Sequence, residues 1–456
     1  ANLRADGTSR FRKGNQWKTF PSFSLGWNVA REHFFEPLNN IVNILKFRAS
    51  YGLLGNQNTT NWYQTYQTMS VGSSNGAWLM NGNKPNTASA PGLVSASLTW
   101  ETIESYNLGL DWGVFNNRLT GSFDWYIRDT KNMVGNAPEL PALLGTGVPI
   151  TNNTDLRTSG WELSIGWNDR LNNGFTYGAK FNVSDARTKI TRYPNNPTKA
   201  VSTYIEGRYT NEIWGYTTVG LAKTDEEMQA HLATMPNGGQ SALGSDWKAG
   251  DIMYADINGD GKISGGSGTL NDTGDWTVIG NTTPRYLFGL DLNASWKGFD
   301  LRMFFQGVMK RDFWQGSTYL FGASNSGMWH ATGIESVSDY FRNDDTWSVQ
   351  EGYQSPNLNS YLPRPLYSNK NLQTQTRYLQ SAAYIRLKNL QLGYTFPTRL
   401  TSRYGVQNLR IYFSGENLWT GTSLVDQFDP ETISGGSGGN GYPLSRTLSC
   451  GLSVTF

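Results

Sequence analysis

The chain holds a single cysteine, Cys450, in 456 residues. One thiol closes no disulfide within the chain and makes no cysteine zinc site. Histidine is nearly as scarce: His33, His231 and His330 stand far apart with no recognisable motif around any of them, so no catalytic base or histidine cluster is indicated. Neither charge is in excess, with 38 Lys and Arg against 36 Asp and Glu, and the basic face that tracks a phosphate backbone is therefore missing. No run approaches the ~18 consecutive apolar residues of a membrane-crossing helix. Any crossing of a membrane must be made with strands closed into a barrel.

What is present points the same way. The chain carries 51 Gly, 23 Tyr, 21 Phe and 17 Trp, yet only 38% of its residues are hydrophobic, so aromatic side chains abound without an apolar composition. Strong helix formers are thin, while Asn, Thr, Ser and Gly crowd the sequence, which favours strands and turns. The expected class is all-β.

Period-two alternation supports that class at many places. In LSCGLSVTF, Leu448, Cys450, Leu452, Val454 and Phe456 share one face and Ser449, Gly451, Ser453 and Thr455 the other. Leu119, Phe123, Trp125 and Ile127 oppose Thr120, Ser122, Asp124 and Arg128. Tyr286, Phe288, Leu290, Leu292 and Trp296 oppose Arg285, Asp291, Asn293 and Ser295. Phe175 to Val183, Phe299 to Phe305 and Leu409 to Phe413 repeat the pattern. Around Arg386 and Lys388 the alternation slips before Leu390, Leu392 and Tyr394 resume it, the signature of a bulge.

A soluble sandwich alternates as well, and the connections separate the two. Short turns at 115–118, 168–173, 296–298 and 397–407 alternate with long polar stretches at about 134–151, 191–283, 311–378 and 420–443. Transmembrane β-barrels of the outer-membrane type are built with tight turns on one side, long loops on the other and aromatic girdles between. Trp112, Trp125, Trp296 and Trp419 are expected as girdle residues. Counting back from Phe456 gives about twelve antiparallel strands. The first is represented only by Ala1 to Asp6, so the start of the barrel is expected to lie elsewhere.

One loop stretch carries metal chemistry. In DINGDGKIS, Asp256, Asn258 and Asp260 followed by Gly261 reproduce the first half of an EF-hand calcium loop, in which alternating oxygen ligands converge on one ion. Position twelve is Ser267 rather than a bidentate Glu, and the flanks read as loop and strand. A calcium sensor is excluded, and an ion-binding surface loop or a metal-free Asx-rich turn remains.

Several phrases resemble the SusC/RagA family of TonB-dependent outer-membrane transporters of Bacteroidetes. They are RADGTSRF (4–11), YGLLGNQN (51–58), LTWETIESYNLGLDWGVFNNRLTGSFDWY (98–126), GDIMYADINGDGKI (250–263), TVIGNTTPRYLFGLDL (277–292), YIRLKNLQLGYTFP (384–397), and ENLWTGTSLVDQFDPET (416–432) with the closing LSVTF. Their order and spacing run the length of the chain. The resemblance implies a barrel of about 22 strands around an N-terminal plug, a segment that contacts TonB, and a SusD-like surface lipoprotein as a lid. Residues 1–456 would then be the C-terminal part of the barrel, without the plug. The family phrase places an Asp before x-T-V-I-G directly after the half-loop. Here Asp275 holds that place beyond a glycine-rich insertion. The implied ligands are Asp256, Asn258, Asp260, the Lys262 carbonyl and Asp275, for Ca²⁺ in first place and Mg²⁺ in second, since oxygen-only sets suit hard cations.

The function implied is active import of nutrient oligomers, glycans or peptides, with no bond chemistry in the barrel. Trp314, Trp329 and Trp347 could stack on sugar rings, although loop packing explains them as well. A passive porin is the first alternative and a hydrolase at the barrel rim the second.

Overall fold

The computed structural model describes all residues except 58, 60, 74–77, 142, 144, 322–334 and 436–440, and the side chains of 318, 319, 336 and 337. Twelve strands form one antiparallel sheet in which each strand neighbours the next along the chain. They are β1 (Asn2–Gly7), β2 (Trp17–Asn28), β3 (Val42–Asn56), β4 (Glu101–Val114), β5 (Leu119–Asn136), β6 (Ile150–Arg170), β7 (Thr176–Arg192), β8 (Arg285–Trp296), β9 (Phe299–Lys310), β10 (Tyr384–Thr395), β11 (Asn408–Thr422) and β12 (Thr447–Thr455). The twelve strands and their all-antiparallel meander match the sequence expectation.

Turn chemistry sets the short connections. Between β8 and β9 only Lys297 and Gly298 intervene, at φ 47° and 93°, the left-handed pair that matches the right-handed twist of a hairpin. Between β4 and β5, Phe115, Asn116 and Asn117 all take positive φ, a conformation Asn tolerates well. The expected bulge is real: Phe304 pairs with Asn389 and Phe305 with Leu387, leaving Lys388 as the extra residue.

Register carries the alternation across strands. Leu25 pairs with Ala49, Ala49 with Leu108 and Leu108 with Trp125, so one apolar row crosses β2 to β5. That face is open, with Leu25 at 74% exposure and Leu452 on β12 at 64%. On the opposite face Arg48 grips Asp111 and Asp124 with paired bonds of 2.8 to 2.9 Å, and Arg302 and Arg410 hold Asp291 and Asp300. A face of bare Leu, Trp and Phe beside a face of ion pairs is stable only where the first meets hydrocarbon and the second meets water.

The chain divides into two compact units, Ala1–Leu163 with Ala186–Thr210, and Ser164–Asp185 with Asn211–Phe456. In the first, a small core of Phe11, Phe20, Leu98 and Trp100 closes the loop end of β2 to β4. In the second, the largest core lies in the connections rather than against the sheet. Tyr216, Met228, Trp247, Ile252, Tyr254, Ile263, Phe341, Tyr378, Leu424 and Phe428 pack together, drawing on all three long connections of that unit.

Candidate functional site

The order of that packed cap comes from the chain upward. Glu212–Gly215 pairs with Thr277–Asn281 and closes a long excursion, inside which Thr218–Leu221 pairs with Ile252–Tyr254. The helix Asp225–Ala233, α1, starts at Thr224, whose hydroxyl accepts the Glu227 N–H. Three acidic residues fill its first turn, where the helix dipole favours them. Met228 on α1 is fully buried in the core.

A charged clamp joins two of the connections. Asp251 is completely buried and accepts from Arg364 at 2.7 and 2.8 Å, from Asn371 at 2.9 Å and from the Lys248 N–H at 2.9 Å, with the Lys370 ammonium at 2.9 Å. Burial alone pushes this carboxyl up, but the Arg364, Lys370 and Asn371 bonds outweigh it and hold the acid below the usual carboxylate range. Burial lowers the Lys370 ammonium, and Asp251 offsets part of that. Close by, the Tyr254 hydroxyl donates to the Lys370 carbonyl at 2.7 Å, and the Ile252 N–H donates to Asn371 Oδ1 at 2.9 Å. Gly250 takes φ 84° and has Phe341 and the Arg364 Cβ where its own Cβ would stand, so only glycine fits this crossing.

A second clamp starts at the bulge. Buried Arg386 reaches Asp429 and Glu431, each at 2.8 Å, and Lys388 reaches Glu431 at 3.0 Å. These bonds tie β10 to the connection between β11 and β12. Burial raises the Asp429 carboxyl, but the Arg386 bond and two backbone N–H groups together bring it below the ordinary range.

The five residues expected to hold a metal lie on one turn. Asp256 accepts the Gly259 and Gly261 N–H groups at 2.8 Å each. Asn258 Oδ1 accepts the Asp260 N–H at 3.0 Å, and Asp260 Oδ1 accepts that of Lys262 at 3.1 Å. Asp275 returns to this turn because its N–H donates to the Ser264 carbonyl at 2.8 Å, which folds residues 265–274 out as a separate excursion. Its carboxylate is fully buried and accepts the Ile257 and Ser264 N–H groups, one on each oxygen at 2.8 Å. Asp275 Oδ1 also takes the Asn258 N–H at 3.4 Å, and Asp260 Oδ2 takes the Asn258 side-chain amide at 3.2 Å, so most of these oxygens already serve the turn. The donor set is all oxygen, the kind a hard cation takes. The Lys262 ammonium stands 3.9 Å from Asp260, a weak competitor for the same charge. Among the described residues no group of three or more His, Cys, Asp and Glu is arranged to hold a metal; Asn258 and the Lys262 carbonyl must supply part of any set here.

The remaining candidates do not converge on a site. His33 faces Glu36 at 2.7 Å on an exposed turn, His231 faces Gln240, and His330 lies outside the described residues. Trp314 packs near Phe321, Trp329 lies outside the described residues, and Trp347 is 67% exposed beside Tyr353, ring centres 5.5 Å apart. Trp296 ends its strand, Trp112 lies near the end of β4 and Trp419 near the end of β11, whereas Trp125 pairs with Leu108 inside β5. Asp251 carries no sequence signal beyond an acid beside the apolar run Ile252-Met253-Tyr254, and pattern alone does not single it out.

A sheet with one hydrocarbon-facing side, one ion-paired side, tight turns at one end and folded loops at the other is the wall of a membrane-crossing β-barrel. The chain belongs to the TonB dependent receptor-like β-barrel family, whose model matches residues 1–302. TonB-dependent receptor P3 of Formosa agariphila is 29% identical over 99% of this chain and 43% of its own length. TonB-dependent receptor SusC of Bacteroides thetaiotaomicron is 27% identical over the whole chain and 42% of its own length. The solved RagAB peptide transporter aligns over the whole chain and 45% of its own, with a TM-score of 0.73 at 22% identity, and supports the fold. The chain thus spans less than half the length of these relatives. Its place is the outer membrane, and its relatives are receptors and transporters rather than enzymes.

Proposed function

We propose that this chain works in the active import of nutrient oligomers, glycans or peptides, across the outer membrane, as SusC-type transporters do. In this reading the strands supply the barrel wall and the cap its mouth. Energy comes through TonB acting on a plug, and a SusD-like surface lipoprotein closes over the cap. The observation that carries the reading is the cap's own core: loops that merely joined strands would not bury Tyr254, Met228 and Ile263 completely. Exposed Trp347, Tyr353 and Tyr367 leave aromatic rings for a partner or substrate. The same reading gives the turn at Asp256, Asn258, Asp260, the Lys262 carbonyl and Asp275 a Ca²⁺ ion, with Mg²⁺ the second choice, to stiffen the mouth.

The test is uptake of fluorescent malto-oligosaccharides and fluorescent peptides by cells with and without the gene. Loss of uptake of one probe class on deletion, restored by complementation, supports import. Equal uptake of both classes in deleted and complemented cells refutes it.

A further inference from the structure

Where two long connections of the second unit meet, the cap leaves a pocket of about 270 Å³ lined by Leu320, Tyr361, Leu362, Val425, Asp426 and Gln427. The first three belong to the connection between β9 and β10, the others to that between β11 and β12. Leu320 and Leu362 are buried members of the cap core, and Tyr361 and Val425 pack against it. These walls are fixed. The Leu362 N–H donates to the Asp339 carbonyl at 3.0 Å, and its carbonyl accepts the Phe341 N–H at 3.1 Å. The Tyr361 hydroxyl accepts the Gln380 side-chain amide, and its ring meets Tyr378 edge-on at 5.4 Å. The opposite side is a turn: the Phe428 N–H donates to the Val425 carbonyl at 3.1 Å, which puts Asp426 and Gln427 at the apex. Leu424 and Phe428 on either side are buried in the same core, so the apex is held from both ends.

Among the described residues that line the pocket, Asp426 carries the only charge. Its neighbours Asp429 and Glu431 are taken by Arg386 and Lys388, whereas Asp426 is exposed and forms no ion pair among the described residues. Arg377 reaches the Tyr361 backbone, but it donates to the Tyr361 and Ser360 carbonyls and is not part of the lining. The pocket therefore has apolar walls and one acidic lip.

We propose that this pocket takes the lysine or arginine side chain of an extracellular peptide, its stem along Leu320, Leu362 and Val425 and its head against Asp426. The assignment rests on the import reading for its ligand and selects the peptide arm of it. Lys and Arg carry the same division as the pocket, an apolar stem and a cationic head. Other occupants fit worse. The hydroxyls of a sugar ring would face three aliphatic walls without partners, which costs free energy. An acidic side chain meets like charge, and an apolar one takes water from Asp426 without replacing it. The space is also below the about 300–1,000 Å³ of pockets for drug-sized ligands, so it suits one side chain.

The test is fluorescence anisotropy on the full-length protein purified in detergent, with labelled short Gly/Ser peptides that carry Lys, Arg, norleucine or Glu at the centre. The wild type should bind the Lys and Arg peptides about three- to fivefold tighter than the norleucine peptide, the worth of an ion pair at an exposed carboxylate. Asp426→Asn should bind the Lys and norleucine peptides alike, and Asp426→Lys should turn the preference to Glu. Glu351→Gln removes an exposed charge outside the pocket and should keep the wild-type order. Because Asp426 stands at an exposed turn apex, its variants should fold, which heat-modifiable mobility checks. No binding of any peptide, equal binding of the Lys and norleucine peptides by the wild type, or a Lys preference that survives in Asp426→Asn overturns the proposal. Peptide uptake by cells together with binding that ignores lysine removes the pocket and leaves import standing. Lysine-selective binding that Asp426→Asn abolishes, with no uptake by cells, leaves the pocket and removes import.

Discussion

Asp251 shows how much of the cap hangs on one side chain. Replacing it by Asn leaves Lys370 buried without its counter-charge, and removing one partner of a buried pair typically costs about 3–5 kcal/mol. Hydrogen exchange of the 251–254 amides should reveal this as a loss of protection of that size, with the strand amides unaffected. The pH dependence follows from the lowered carboxyl. An acid depressed in the folded state contributes stability above its unfolded value, about pH 3.9, and loses it as pH falls through the folded value. The cap should therefore loosen in acid, and Asp251→Asn should flatten that acid limb. At the half-loop, calorimetry on EDTA-treated protein should record Ca²⁺ uptake that Asp256→Ala removes. No heat with the native turn would leave it a metal-free Asx turn.

The elements divide into those written in the sequence and those that are not. Strands are legible because period two and turn residues are local: Lys297-Gly298 and the three positive-φ residues 115–117 announce hairpins by composition, and the slip at Lys388 announces its bulge. The bulge's purpose is not legible, since Asp429 and Glu431 meet Arg386 only after β11 has folded back. The cap has no period at all. Tyr254 and Tyr378 are both fully buried in one core, yet no spacing rule joins residues so far apart in the chain. Its five candidate metal residues can be named from sequence, but the adjacency of Ser264 and Asp275 rests there on resemblance alone, and the backbone makes it concrete. Replacing 311–378 by a tight turn tests the cap's proposed role. The strands should still insert, judged by heat-modifiable mobility, while a SusD-like lipoprotein should no longer co-purify. Full co-purification with the loop gone would remove these residues from the interface.

At the scale of the whole molecule, alternating strands joined by turns and long connections in strict succession narrow the chain to a strand-built membrane wall, and the open face bearing Leu25 and Leu452 agrees. Substrate and partner are not legible, because the exposed rings of the loops, Trp347 and Tyr353 among them, follow no pattern that selects one chemistry. What separates an importer from a pore is energy. A passive pore conducts down a gradient whatever the state of TonB, whereas the barrel of an active importer is closed by a plug that TonB must move. The decisive measurement is the initial rate of fluorescent oligomer uptake through this protein in otherwise identical cells with and without TonB. Active import predicts that uptake falls to the level of cells lacking the protein when TonB is absent. An unchanged rate without TonB would contradict active import and make the protein a porin.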